Sequence, residues 1–398
     1  MVKKEKMKET ILKINSKKQC LSCGLCYSVC PKDAIRLEYN KKQGLYLPTI
    51  MKNCISCGMC LHYCPTVGTN ESVDEIGIYK KIYLAHSINN TVRQGATSGG
   101  VINEVVRFLL EYNEIDACVL VCIGENPIES KADIITRENS DDLEKKPRNY
   151  ASRYTVVPVL SKLKECIKLY TNIAIVGTPC QIAAAKKYII EQHLDLNCIY
   201  LGISCSSGIS YKATEQYKKV MSRKNSKIFY RGNGWPGENT LVSKNGTISY
   251  NHPKSLFERM FSSQVFKNQG CYNCKDQFAE KADISFCDFW NREELDREKL
   301  GNSVTIIRSE LGNMIIEQMK KKCLISIEKV LNADEVIESQ KAVLIQKKGN
   351  VKNKMSYKIL KTITYIMFET NIYRLFTYRH YDFLSRLYSH IIWKCDDE

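Results

Sequence analysis

Residues 20–31 read CLSCGLCYSVCP and residues 54–65 read CISCGMCLHYCP. Both follow C-x2-C-x2-C-x3-C-P: Cys20, Cys23, Cys26 and Cys30 precede Pro31, and Cys54, Cys57, Cys60 and Cys64 precede Pro65. This doubled spacing matches a pair of 4Fe-4S cubes. Two-residue gaps fold the backbone around one cube, so three thiolates converge and amide N–H groups point at the sulfurs. The fourth thiolate, one helical turn on, projects toward the other cube, and proline fixes the direction of the departing chain. Cys20, Cys23, Cys26 and Cys64 are therefore expected on one cluster, and Cys54, Cys57, Cys60 and Cys30 on the second. Gly24 and Gly58 sit where the backbone must approach the inorganic core. Zinc and redox thiols are the alternatives. Zinc sites seldom use eight cysteines in doubled spacing, and a redox C-x-x-C needs only two.

Outward from these runs, 34–39 and 45–48 flank Lys41-Lys42-Gln43-Gly44, which reads as a hairpin. The whole forms a two-cluster 4Fe-4S ferredoxin domain over residues 1–72. With 398 residues there is room for a much larger second body. The N-terminus is basic without an apolar stretch or cleavage site, so no secretory signal is expected, and no apolar run is long enough to span a membrane. A cytoplasmic location keeps thiols reduced, which turns nineteen cysteines toward metal binding. The formal charge is +16. Each cube with four thiolates adds about −2, so three would leave about +10, and nucleic-acid binding is not expected.

Beyond the ferredoxin domain the pattern is α/β with a mostly parallel sheet. IDACVLVCI (115–123) reads as a buried strand. NIAIVGTPCQIAAAKKYII, from Asn172, reads strand, turn, helix, and NCIYLGISCSS, from Asn197, is another strand entering a small-residue loop. Ligands of such sheets lie beyond the carboxyl ends of the strands. One candidate is RQGATSGG (93–100) before the helix VINEVVRFLLEY. Thr97, Ser98, Gly99 and Gly100 could offer N–H groups to a flavin phosphate, or simply form a loop and N-cap. The other is Cys180, in a strand-to-helix turn where the helix dipole favours thiolate. Cys205 and the pair Cys271 and Cys274 bring the thiols to four, enough for a further cube. The alternative is two buried thiols and half a zinc site. Cys118, Cys122 and Cys198 lie in strands, Cys166 and Cys323 read as core residues, and Cys395 as an exposed terminal one. The histidines (62, 86, 193, 252, 380 and 390) form no ligand pattern.

From Val351 the chain becomes basic and aromatic. Ile359, Ile363, Ile366 and Met367 recur at helical spacing with lysines opposite. This 351–398 tail is suited to a helical hairpin packed on the body, or to peripheral contact with an anionic membrane or a partner.

The motifs ATSGG (96–100), SRY (152–154), GTPCQ (177–181), SCSSG (204–208), FYRGNGW (229–235), CYNCKD (271–276) and ADISFCDFW (282–290) resemble, in order, those of the coenzyme F-420 hydrogenase/dehydrogenase beta-subunit family. GNSVTIIRSELGN (301–313) is similar to its last strand-turn segment. The chain looks like the bacterial and archaeal members with a fused N-terminal two-cluster ferredoxin domain, often associated with surface-polysaccharide biosynthesis. The resemblance implies a body with an N-terminal lobe (80–165) and a C-terminal lobe (166–350). It implies FAD near Thr97, Ser98, Gly99, Gly100, Ser152 and Tyr154, and a third 4Fe-4S cluster on Cys180, Cys205, Cys271 and Cys274. Cys205-Ser206-Ser207-Gly208 replaces the family's Cys-His-Gly. Cys287 stands where a glycine is usual, so it competes as a ligand with its reading as a core thiol. The implied function is an iron–sulfur flavoprotein oxidoreductase exchanging hydride with F-420 or another small substrate. The alternative is a non-catalytic electron-transfer subunit serving a partner protein. No acid–base pair stands out; only Tyr154 and Asp288 fall near the site.

Overall fold

The computed structural model describes residues 10–67, 75–125, 128–349 and 355–393; residues 1–9, 351–354 and Cys395 lie outside the described residues. In the N-terminal module, β1 (Ile35–Asn40) and β2 (Leu45–Ile50) pair antiparallel with Asn40 opposite Leu45, as the hairpin reading expects. Ile11, Ile14 and Ile35 form a small core with Cys26, Cys60 and Cys64. The two cysteine runs share one backbone path: φ is +51° at both Ser22 and Ser56, +86° at Gly24 and +82° at Gly58. Glycine is needed at the latter two because a side chain is strained at positive φ.

The module is joined tightly to the body. Leu160 N–H donates to Cys23 O (2.9 Å). Ser28 Oγ donates to Leu160 O (2.6 Å), and Lys164 Nζ to Cys30 O (3.1 Å). A Cβ on Gly24 would stand 2.7 Å from Ser161 N and 2.8 Å from Pro158 O, backbone atoms that cannot swing aside. Gly24→Ala is therefore expected to destabilise the chain by about 1–3 kcal/mol through strain and overpacking. Urea unfolding checks this, and a midpoint equal to the wild type would refute it.

The body is built on one eight-stranded sheet. Its strands are β3 (Lys81–Ser87), β4 (Ala117–Ile123), β5 (Ser130–Thr136), β6 (Asn172–Gly177), β7 (Asn197–Ile203), β11 (Ile284–Asp288), β12 (Ser303–Ile307) and β13 (Ile325–Val330), in spatial order β13-β3-β12-β11-β7-β6-β4-β5. Between β7 and β11, β8 (Lys227–Phe229), β9 (Glu238–Ser243) and β10 (Gly246–Asn251) form a separate antiparallel sheet. In the large sheet β4, β6, β7 and β11 run parallel, while the flanking pairings are antiparallel. Ile173, Ala174, Ile175 and Val176 are buried throughout, as a central strand covered on both faces requires.

Five helices matter below: α1 (Val101–Glu111), α2 (Pro179–Glu191), α3 (Lys341–Lys348), α4 (Met355–Glu369) and α5 (Tyr378–Trp393). The last two form the helical hairpin of the tail. They bury Tyr357, Leu360, Tyr381, Leu384 and Tyr388 in one cluster with Tyr217, Phe257, Phe266 and Tyr272. The isoleucine stripe does not face the body: Ile359, Ile363 and Ile366 are exposed, because the aromatic face packs instead. Lys18 pairs with Glu369 (2.8 Å), so the tail also touches the ferredoxin module. Among the described residues, no helix is long and apolar enough to cross a membrane.

Candidate iron–sulfur and cofactor site

In the ferredoxin module, backbone amides are aimed at sulfur. Ser22 N–H donates to Cys20 Sγ (3.3 Å), Ala34 N–H to Cys30 Sγ (3.3 Å) and Ser56 N–H to Cys54 Sγ (3.4 Å). Burial pushes the Cys20 thiol up to about 11, and Cys64 adds to the rise. Cys26 is raised by burial and by Cys23, Cys20, Cys64 and Cys60. Cys64 thus stands beside the first run although it belongs to the second. Cys30, Cys54, Cys57 and Cys60 line one cleft together with Pro31, Ile55 and Gly58. Buried thiols that crowd one another resist ionisation, and bound metal reverses this by taking the thiolate form. Among the described residues, no group of three or more His, Cys, Asp or Glu has the geometry for a single metal ion.

The second gathering of thiols lies at one end of the large sheet. The parallel strands β6, β7 and β11 end there, and β12 begins there, since Asp288 pairs with Ser303. Cys180 sits in the first turn of α2, where Thr178 and Gln181 form a reciprocal capping box. Cys205 follows β7, and Cys271 and Cys274 come from the loop at 269–274. The dipole was expected to ease ionisation of Cys180, but burial raises its pKa well above normal, aided by Cys274, Cys205 and Cys271. Removal from water and three neighbouring thiols outweigh one helix end. Gly208 N–H donates to Cys271 Sγ (3.4 Å). Lys347 Nζ lies 3.5 Å from Cys274 Sγ and donates to Asp276 O (2.6 Å).

The two gatherings adjoin. Asn268 Nδ2 donates to Cys20 O (3.0 Å), and a Cβ on Gly270 would stand 2.4 Å from Gln19 O. The loop that carries Cys271 therefore rests on the backbone of the first ferredoxin cysteine.

At the same sheet end lies the segment 97–100. Thr97 Oγ1 accepts from Ser152 N–H (2.9 Å), which joins two of the expected flavin segments. Ser98 Oγ donates to Asn302 O (2.7 Å), and Gly99 N–H donates to Ser303 Oγ (2.9 Å). These groups hold loops to one another. What remains for an anion is the N-terminus of α1, where Gly100 (φ +78°) supplies no side-chain cap. Arg148 Nε, buried with no hydrogen-bond partner among the described residues, lies near the same loops, 3.0 Å from where a Gly232 Cβ would be. A helix N-terminus and a guanidinium are the kinds of donor that a phosphate takes.

Tyr154 packs its ring on Phe257 and Phe261, and its hydroxyl faces His252 Nε2 (3.5 Å). Asp288 is held by Arg231, through Nη1 (2.6 Å) and Nη2 (3.3 Å), and by Trp235 Nε1 (3.2 Å). Trp235 in turn lies 5.4 Å from the Trp290 ring. His252 Nε2 is 3.3 Å from Glu258, whose carboxyl burial pushes up to about 7. The polar cluster of Arg231, Trp235, His252 and Glu258 was not singled out from sequence; only FYRGNGW hinted at it. Arg153, between Ser152 and Tyr154, is spent on Ser130, Glu129 O and Ile228 O. Cys287 is buried among Ile82, Leu84, Val304 and Ile306, in apolar surroundings. Cys118 and Cys166 are fully buried. Cys323, expected in a core, is exposed, since it takes the left-handed turn (φ +53°) after a helix.

Two profiles of the coenzyme F420 hydrogenase/dehydrogenase beta subunit, one for its N-terminal and one for its C-terminal part, match residues 82–164 and 170–332, and one for a "4Fe-4S dicluster domain" matches 19–67. A subunit of the F(420)H(2) dehydrogenase of Methanosarcina mazei is 24% identical over 319 residues, 76% of this chain and 82% of that protein. The beta subunit of the coenzyme F420 hydrogenase of Methanococcus voltae is 24% identical over 283 residues, 68% of this chain and 92% of that protein. A chain of the xenon-derivatised F420-reducing [NiFe] hydrogenase complex from Methanosarcina barkeri shares the fold. It matches at a TM-score of 0.54 and 19% identity, over 72% of this chain and 96% of that one. With a cysteine-rich module at its front and these two profiles side by side along its body, the chain belongs to the coenzyme F420 hydrogenase/dehydrogenase beta-subunit family.

Proposed function

We propose that the chain is an iron–sulfur flavoprotein oxidoreductase. It relays electrons between two ferredoxin clusters, a third cluster on Cys180, Cys205, Cys271 and Cys274, and FAD, and it exchanges hydride with F-420 or another small substrate. The observation that carries the reading is the contact between the Cys271 loop and the backbone at Cys20, which gives the two cysteine sites a short path through protein. A flavin, when bound, supplies the conversion between one-electron and two-electron chemistry. The chain's own part is to hold the thiolates, shed water from them, and offer the α1 N-terminus and Arg148 to the flavin's phosphates. Family membership supports oxidoreductase chemistry, and the relatives named above include subunits of larger enzymes, so a protein partner is part of the proposal.

Iron, sulfide and flavin analysis of anaerobically purified protein tests this directly. About twelve iron atoms and one flavin per chain are expected. About eight iron atoms without flavin would reduce the protein to a conduit that feeds a partner enzyme.

A further inference from the structure

Two lysines are buried around the body's cysteine quartet. Lys347, on α3, is 4% exposed, and Lys267 is 5% exposed. Lys347 Nζ lies 3.5 Å from Cys274 Sγ. Lys267 Nζ lies 4.7 Å from the Tyr272 ring centre and Lys361 Nζ 4.2 Å from it, so two cations lie against a ring that follows directly on Cys271. Tyr272 is also where the tail packs, beside Tyr357 and Tyr388. In the ferredoxin module, backbone amides reach the sulfurs of Cys20, Cys30 and Cys54.

A 4Fe-4S cube gains a negative charge on reduction, so a fixed buried cation favours the reduced form, and net charge and hydrogen bonds to sulfur tune its potential. Resting on the third-cluster reading above, we propose that Lys347, seconded by Lys267, sets the reduction potential of the cluster held by Cys180, Cys205, Cys271 and Cys274 above that of the ferredoxin pair. Electrons arriving at the ferredoxin module then run downhill into the body. The C-terminal hairpin acquires a role as well: it closes the chamber in which these charges act without water to screen them. Asp276, whose carboxyl and carbonyl face Lys347, keeps the ammonium in place.

The test uses the full-length chain, purified without oxygen, and compares the wild type with Lys347→Met and Lys347→Arg. Iron content comes first, then a dithionite titration followed by electron paramagnetic resonance. In Lys347→Met all about twelve irons stay. The body cluster's midpoint falls by the equivalent of at least a tenfold change in the reduction equilibrium, about 59 mV, while the ferredoxin midpoints do not move. Lys347→Arg keeps the wild-type value. A third cluster present with an unmoved midpoint in Lys347→Met overturns the proposal. A wild type with only about eight irons overturns it together with the third-cluster reading, and the iron count tells the two failures apart. If Lys347→Met does not accumulate, Lys267→Met is read in its place: a lowered midpoint supports the proposal and an unmoved one overturns it.

Discussion

Cys180→Ala is expected to lower the iron content from about twelve to about eight atoms per chain and to leave the ferredoxin signals intact. Cys180 lies in the first turn of a thirteen-residue helix whose end is pinned by the Thr178–Gln181 capping box. The helix fixes where its sulfur points, so neighbours cannot swing a substitute into place. Cys166→Ala is the control. That thiol lies in a wholly apolar core with Leu163 and Ile173, and its loss should change stability but not iron. On the proposed relay, electron flow from the reduced ferredoxin module to flavin should fall by about a hundredfold or more in Cys180→Ala, because the third cluster is its stepping point. Stopped-flow absorbance measures the rate and colorimetric analysis the iron. Unchanged iron in Cys180→Ala would return the quartet to buried thiols.

Asp288→Ala should destabilise the fold by roughly 3–5 kcal/mol, the usual result of removing one partner from a buried ion pair. Arg231 is 2% exposed and gives two hydrogen bonds to the Asp288 carboxylate. Without the carboxylate, a guanidinium is left in the interior and Trp235 Nε1 loses its acceptor. Asp288→Asn keeps an oxygen for Trp235 but not the charge, and should fall between the alanine variant and the wild type. Guanidinium unfolding resolves the three. A loss below about 1 kcal/mol in Asp288→Ala would mean that Arg231 finds water or another anion, and would free Asp288 for a role in chemistry.

These expectations differ in how far they could be read in advance. Cys20 to Cys64 announce themselves because ligand spacing is local: two- and three-residue gaps dictate where sulfurs can converge whatever the rest of the chain does. The parallel centre of the sheet was equally legible in the apolar runs of β4, β6 and β7. Its antiparallel flanks were not, since the direction of β3, β12 and β13 is set by pairing between strands far apart in sequence. The small sheet of β8, β9 and β10 passed unnoticed because β8 has three residues and β10 is mostly exposed.

The amino-acid order alone determined that iron and sulfide are held near the N-terminus, and that an α/β body carries four further cysteines in its loops and at a helix start. It could do so because thiolate spacing and apolar periodicity act over a few residues. Tertiary structure alone decided the surroundings of those cysteines. Lys347 lies 73 residues from Cys274 in sequence yet 3.5 Å from its sulfur, and Asn268 is 248 residues from the Cys20 carbonyl that it reaches. Burial and charge in a low-dielectric interior are properties of neighbours in space, and only the folded chain selects them.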